Sequence, residues 1–304
     1  MKIKYWGTRG SVATPSTGDF STLKYGGNTS CVEIETANGE LIVLDAGSGL
    51  RLLGQNLMAN GFLDSDRSVK LLVGHVHPDH VEGLSFFAPA FIAGTKINIV
   101  SGELEKPLEE ILRGKYEKPK FPISIDQMSA DFSFYQLREG ESLENGVAIS
   151  HCLSKHPDLC YAFKIQEETE SGIVTFCYVL DNEHDGDPSK NSFGVEDKRI
   201  IKFMTGADYV LIDSAYTPQE HDPARFGLST MTKKGWGHAT YESNIQRAIA
   251  AGVKNLVLAH HDPSHDDVFL AVMERDARQY LQQLGVDKFL QVSVAREGVE
   301  EYLH

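Results

Sequence analysis

The chain has 304 residues, with 29 Lys and Arg against 43 Asp and Glu, a formal charge of −14. That balance argues against a stable nucleic-acid partner, because gripping a long polyanion takes a basic face. Hydrophobic content of 41% and charged content of 24% are those of an ordinary globular protein, and apolar runs such as Tyr209-Val210-Leu211-Ile212 are strand-length, too short to span a membrane.

Residues 1–7 read directly as a strand, without the apolar core of a signal peptide, so the cytoplasm is the expected compartment. Strands are predicted over 2–6, 31–36, 40–45, 70–74, 96–100, 131–137, 147–152, 160–165, 173–180, 208–213, 255–260 and 289–294. Helices are predicted over 49–60, 82–92, 104–113, 197–205, 240–251 and 267–284, the helix at 240 opening after Thr240 and stopping at Gly252. No linker or low-complexity tract interrupts this alternation, so residues 1–304 read as one domain. The irregular part is 101–130, a charged helix followed by Lys118-Pro119-Lys120-Phe121-Pro122. Such an insertion is a surface connection, a lid or a dimer contact, and a homodimer is the expected assembly. Cys31, Cys152, Cys160 and Cys177 lack CxxC spacing and read as buried free thiols in a reducing compartment.

The densest chemistry is His75-Val76-His77-Pro78-Asp79-His80, which follows the apolar run Lys70-Leu71-Leu72-Val73-Gly74. The chain has 12 histidines, so three within six residues are not a scatter effect. His75 and His77 stand two apart, which turns both rings the same way from extended backbone, while Asp79 and His80 emerge on the following turn. Imidazole nitrogens and a carboxylate suit zinc and its first-row neighbours. Further candidates sit where apolar runs end: Asp45 after Leu44, His156 after 147–152, Asp181 after Leu180 and His260 after Ala259. Asp45 also fits a helix N-cap. His261 competes with His260, and His151 and His184 are weaker rivals. Six or seven ligands at strand ends are enough for a dinuclear site.

In this order, Asp45, His75-x-His77-x-Asp79-His80, His156, Asp181 and His260 resemble the five-motif signature of the metallo-β-lactamase fold superfamily, over nearly the whole chain. True β-lactamases carry a cysteine ligand where this chain has Asp181, so the resemblance is to the phosphodiesterase-like members. Asp213, ending Ala207-Asp208-Tyr209-Val210-Leu211-Ile212-Asp213, and His238 in Gly237-His238-Ala239-Thr240 look like the acid-plus-His pair of the ribonuclease Z and cyclic-nucleotide phosphodiesterase branch. Ribonuclease Z has a glutamate at the Asp213 position. Tyr25-Gly26-Gly27-Asn28-Thr29-Ser30-Cys31 and Gly235-Trp236-Gly237-His238 resemble bacterial metallohydrolases of this superfamily linked to cyclic nucleotide cleavage.

The resemblance implies a four-layer αβ/βα sandwich in which two mixed sheets pack together and helices cover both outer faces. It implies two divalent metal ions, Zn2+ first and Mn2+ or Fe as alternatives. His75, His77 and His156 would hold one ion, Asp79, His80 and His260 the other, with Asp181 bridging and Asp45 fixing a ligand imidazole from behind. Asp79, His238 and Asp213 are the expected catalytic set, His238 protonating the leaving oxygen or stabilising the phosphorane-like charge. Arg9, Asn28, Tyr216 and Trp236 are candidate substrate contacts, as are Phe226, Lys233 and Lys234. The expected activity is hydrolysis of a small cyclic phosphodiester, with a 3′,5′-cyclic nucleotide as the first candidate. The alternatives are a ribonuclease Z-like tRNA 3′-processing endonuclease, disfavoured by the lack of a long basic arm, and a metal-binding sensor or accessory protein without hydrolysis.

Overall fold

The computed structural model describes residues 1–144 and 147–304. The first half of the chain supplies β1 (Lys2–Gly7), β2 (Cys31–Glu35), β3 (Leu41–Leu44), β4 (Ser68–Leu72), β5 (Lys96–Gly102) and β6 (Asp131–Leu137). The second supplies β7 (Ser142–Glu144), β8 (Val147–Leu153), β9 (Tyr161–Thr169), β10 (Gly172–Val179), β11 (Tyr209–Asp213), β12 (Asn255–Ala259) and β13 (Gln291–Val294). β14 (Glu300–Tyr302) returns to the first sheet beside β1. Among the described residues the sheets are seven-stranded, in the orders β14-β1-β2-β3-β4-β5-β6 and β13-β12-β11-β10-β9-β8-β7.

Ile3, Tyr5, Ile34, Leu44, Phe163, Ile165, Phe176 and Tyr178 form one core cluster contributed by both sheets. On the other face of the second sheet pack α4 (Val195–Met204), α6 (Tyr241–Ala251) and α7 (Asp267–Gln283), through Ile200, Met204, Ile245, Leu270 and Met273. Leu50 and Leu53 of α1 (Gly49–Ala59) and Leu108 and Leu112 of α3 (Leu108–Lys115) cover the first sheet. The result is the expected four-layer αβ/βα sandwich. β11, covered on both faces, is buried at every residue, whereas β1 alternates. β3 through β6 are parallel, as are β10 through β13, so within each group the C-terminal strand ends share one edge.

The predicted helix over 82–92 is instead a short helix, α2 (Pro78–Val81), followed by 3-10 turns at Glu82–Phe86 and Ala88–Phe91. Gly83 shows why: a Cβ there would come within 2.0 Å of the Gly47 carbonyl, so the segment is pressed onto the turn after β3. The helix expected at 104–113 begins only at Leu108, because Pro107 disfavours helical backbone before it. The edge strands β7 and β14 and the four-residue helix α5 (Pro218–His221) are too short to register as periodic patterns. The 101–130 segment buttresses the stretch that follows His75–His80: Tyr116 donates its hydroxyl to the Val81 carbonyl, and Phe121 meets Phe86 edge-on at 5.9 Å.

Candidate metal centre

The aligned strand ends bring all seven predicted ligands into three overlapping groups, each compact enough to hold an ion: His75, His77 and His156; His75, His80 and Asp181; and Asp79, His80 and His260; a fourth group joins Asp181 and His260 to Asp213 and His238. Asp181 stands between the sets, Oδ1 lying 3.8 Å from His75 Nε2 and Oδ2 lying 3.0 Å from His80 Nε2 and 3.3 Å from His260 Nε2. Asp79 Oδ2 is 3.2 Å from His80 Nε2 and 3.4 Å from His260 Nε2. The His75, His77 and His156 rings lie 4.5–5.2 Å apart by centroid.

The backbone is strained where these ligands sit. Asp45, Asp181 and His260 adopt φ of 59°, 49° and 62°, and Ser11, whose N–H donates to Asp79 Oδ2 at 2.7 Å, adopts 64°. Left-handed backbone in residues with a side chain costs on the order of 1–3 kcal/mol each and persists where the surroundings enforce it, typically at functional sites. Two glycines make room for the rings: a Cβ at Gly10 would approach His260 Cε1 to 2.3 Å, and one at Gly237 would approach His156 Nδ1 to 2.2 Å.

Outer contacts fix the imidazoles. Asp45 takes hydrogen bonds from Gly74 N–H at 2.8 Å, Tyr178 Oη at 2.7 Å and His80 Nδ1 at 2.7 Å, leaving His80 Nε2 for the cluster. Of the two roles anticipated for Asp45, the contacts match a brace for the His80 imidazole; α1 is preceded by Ser48, and no side chain caps it. Asp158 Oδ2 accepts from His77 Nε2 at 2.7 Å and leaves Nδ1 free. His261 is turned away, its Nε2 donating to the Ala295 carbonyl at 3.0 Å, so His260 is the imidazole beside the carboxylates. His151 bonds the Arg138 carbonyl, and His184 packs on His221, both outside the cluster.

The donor set fits metal ions on two grounds. Both ring nitrogens of His75, His156 and His260, and His80 Nε2, are buried without a hydrogen-bond partner, an arrangement that normally costs about 1–3 kcal/mol per group. The carboxylates also draw positive charge inward. Burial alone would lower His80, but Asp79, Asp181 and Asp45 outweigh it and hold the imidazole well above its ordinary range, and Asp181 and Asp79 likewise raise His260.

His238 stands beside the ligands without joining the histidine triad. Its Nδ1 is 2.7 Å from Asp213 Oδ2 and 3.9 Å from Asp181 Oδ1, and its ring stacks on His260 at 4.9 Å. Burial opposes charge on His238, but Asp213 prevails and pushes it up to about 9. Asp213 also accepts from the Asn182 and Ala215 N–H groups.

The substrate-contact candidates divide. Arg9 is fully buried and its guanidinium donates to the Gly26, Asp262 and His265 carbonyls at 2.8, 3.1 and 2.5 Å; it is scaffolding and no solvated cation. Asn28 is tied to Glu297 and Ser48. Tyr216 is buried with its ring edge on His238 at 5.8 Å, whereas Trp236 is 45% exposed with Lys233 Nζ 4.0 Å from its ring centroid. Lys234 pairs with Asp222, and Phe226 lies under Arg225. Sequence reasoning missed Asp158 and Tyr178. A carboxylate two residues past His156 was the available signal for Asp158. Tyr178 had none, being indistinguishable in the sequence from any strand aromatic.

No family model matches the chain, and no curated protein matches its sequence. Solved structures do match its fold. The metallo-β-lactamase fold protein YhfI from Bacillus subtilis is 16% identical with a TM-score of 0.62, covering 99% of this chain and 98% of its own. The short form of human tRNase Z is 16% identical at TM-score 0.64 with complete coverage of both, and unliganded yeast PDE1 is 14% identical at 0.63 over 99% of both. The chain therefore has the metallo-β-lactamase fold, with a buried His/Asp cluster at the edge where the strand ends meet.

Proposed function

We propose that this chain is a metal-dependent phosphodiesterase that hydrolyses a small cyclic phosphodiester, with a 3′,5′-cyclic nucleotide as the first candidate. His75, His77 and His156 would hold one ion, Asp79, His80 and His260 the second, and Asp181 would bridge. Imidazole and carboxylate donors favour Zn2+, with Mn2+ or Fe as alternatives. Bound metal would supply Lewis acidity at the phosphoryl group and acidify the attacking water.

The observation that carries the reading is the Asp213–His238 pair, held at 2.7 Å beside Asp181 and His260. A pure metal store needs no such pair. Asp213 fixes Nδ1 of His238 and leaves Nε2 to deliver a proton to the leaving oxygen or to meet charge on the phosphoryl group, work worth roughly 10²–10⁴-fold. Asp45 and Asp158 hold the tautomers of His80 and His77, and exposed Trp236 with Lys233 can stack on a planar group near the rim. The net charge of −14 favours a small substrate over a precursor tRNA.

The test is a metal titration of the full chain followed by hydrolysis assays on bis(p-nitrophenyl) phosphate, 3′,5′- and 2′,3′-cyclic nucleotides, cyclic dinucleotides and a precursor tRNA. Metal-dependent cleavage of a cyclic mononucleotide is expected. Cleavage of the tRNA alone would favour the endonuclease reading, and tight metal binding with no cleavage would leave a metal-binding accessory protein.

A further inference from the structure

Glu183 lies outside both proposed ligand sets, yet it is buried two residues past Asp181 and gathers more donors than any structural need of its own loop explains. Its carboxylate accepts from the Gly235 N–H at 2.7 Å, the Gly237 N–H at 3.2 Å and His221 Nε2 at 3.0 Å, with Lys155 Nζ 3.9 Å away. Gly235 and Gly237 adopt φ of 84° and 90°, backbone that a side chain would strain. Between them stands Trp236, 45% exposed, and after them comes His238. His221 secures the same segment from its other end, its carbonyl accepting from Thr232 Oγ1 at 2.9 Å and Lys233 N–H at 3.3 Å. Residues 232–237 thus hang from one buried Glu–His pair.

We propose that Glu183 is a positioning residue that sets His238 beside the His/Asp cluster, and Trp236 next to it in the chain, by clamping the Gly235–Gly237 turn. The placement rests on the functional reading above and deepens it. One short stretch, Asp181-Asn182-Glu183, delivers both the bridging carboxylate and the clamp, so the metal bridge and the proton-delivering imidazole are measured from a common anchor. The clamp needs a carboxylate: its oxygens offer enough lone pairs for three donors, whereas an amide of the same shape presents one oxygen and turns an NH2 group against an N–H. Glu183→Gln should therefore loosen the turn without emptying space around it.

The experiment uses the metal-loaded full chain carrying Trp6→Phe, which leaves Trp236 as the single tryptophan of two. In this background Glu183→Gln should retain its metal and lower the emission anisotropy of Trp236. Turnover of an alkyl phosphodiester should fall by about tenfold or more, while a p-nitrophenyl diester, whose leaving group needs little proton help, should lose less than about threefold. Glu183→Asp should recover part of the loss. If Glu183→Gln fails to fold, His221→Gln removes one partner of the same clamp and should move both readouts in the same direction. Unchanged anisotropy with an unchanged ratio between the two diesters would overturn the proposal. Loss of metal, or equal loss on both substrates, would also overturn it by making Glu183 a brace for the Asp181 loop. Should the parent protein cleave no diester, the functional reading fails, while the anisotropy still decides whether Glu183 clamps the turn.

Discussion

The loops at 7–11 and 26–30 and the turn at 235–238 are alike in sequence: each combines glycine with a polar or aromatic residue able to meet a phosphate or a base. In the folded chain they diverge. Arg9 and Asn28 spend their side chains on carbonyls, Glu297 and Ser48, and Gly10 serves to let the His260 ring in. The 235–238 turn keeps Trp236 in solvent and sets His238 against Asp213 and the ligand cluster. What separates them is the partner waiting elsewhere. A loop surrounded by unpaired backbone carbonyls absorbs its cation as scaffolding; a loop clamped through its own N–H groups leaves its side chains free to work.

The comparison breaks at its base if the cluster does not hold metal. Asp181→Ala removes the carboxylate that faces His75, His80 and His260, so it should lose at least one ion and lower activity by about 10³-fold or more. Elemental analysis showing two tightly held metals in that variant would remove Asp181 from the bridging position. The turn is tested next. His238→Ala should retain its metal and lower turnover of a poor-leaving-group diester by about 10²-fold, with a much smaller loss on a p-nitrophenyl diester. Loss of an ion would instead make His238 a ligand, a role its proximity to Asp181 and His260 allows. Asp158→Ala should act more gently, weakening metal affinity by roughly 10-fold through His77, since outer partners of ligand imidazoles contribute on that scale. Unchanged affinity in a chelator competition would mean that the half-exposed His77 needs no orienting carboxylate.

Legibility in the sequence followed chemistry and length. The ligands were readable because each ends an apolar run and because His75 through His80 has no packing rationale. The sandwich was readable because its strands alternate with helices and its central strands are apolar throughout. The Glu82–Phe86 and Ala88–Phe91 turns were not, since an apolar run there satisfies helical spacing while Gly83 must press on Gly47. Nor could spacing tell His260 from its neighbour. The decision rests on a contact between His261 and Ala295, on the far side of β12 in the chain and invisible to local pattern. Glu183 and Asp158 escaped for a related reason: an acid near a motif resembles a solvated loop residue until its donors arrive from distant positions, as Gly235 does across a separation of 52.

Arg9→Met gives the smallest catalytic effect and the sharpest separation between the two kinds of loop. The guanidinium is buried and donates to three carbonyls that belong to two distant segments, around Gly26 and around Asp262 to His265. Methionine fills similar length without a donor, so those carbonyls lose charge-assisted hydrogen bonds, a loss offset in part because the variant no longer buries a cation. A stability loss of about 2–4 kcal/mol is expected in denaturant unfolding, read at constant slope so that it reports stability and not a change in the unfolded chain. Because the side chain never reaches the cluster, KM for the diester should stay within about twofold of wild type at a temperature where both chains are folded. A large rise in KM with stability intact would return Arg9 to the substrate and erase the distinction between the buried loops and the exposed turn.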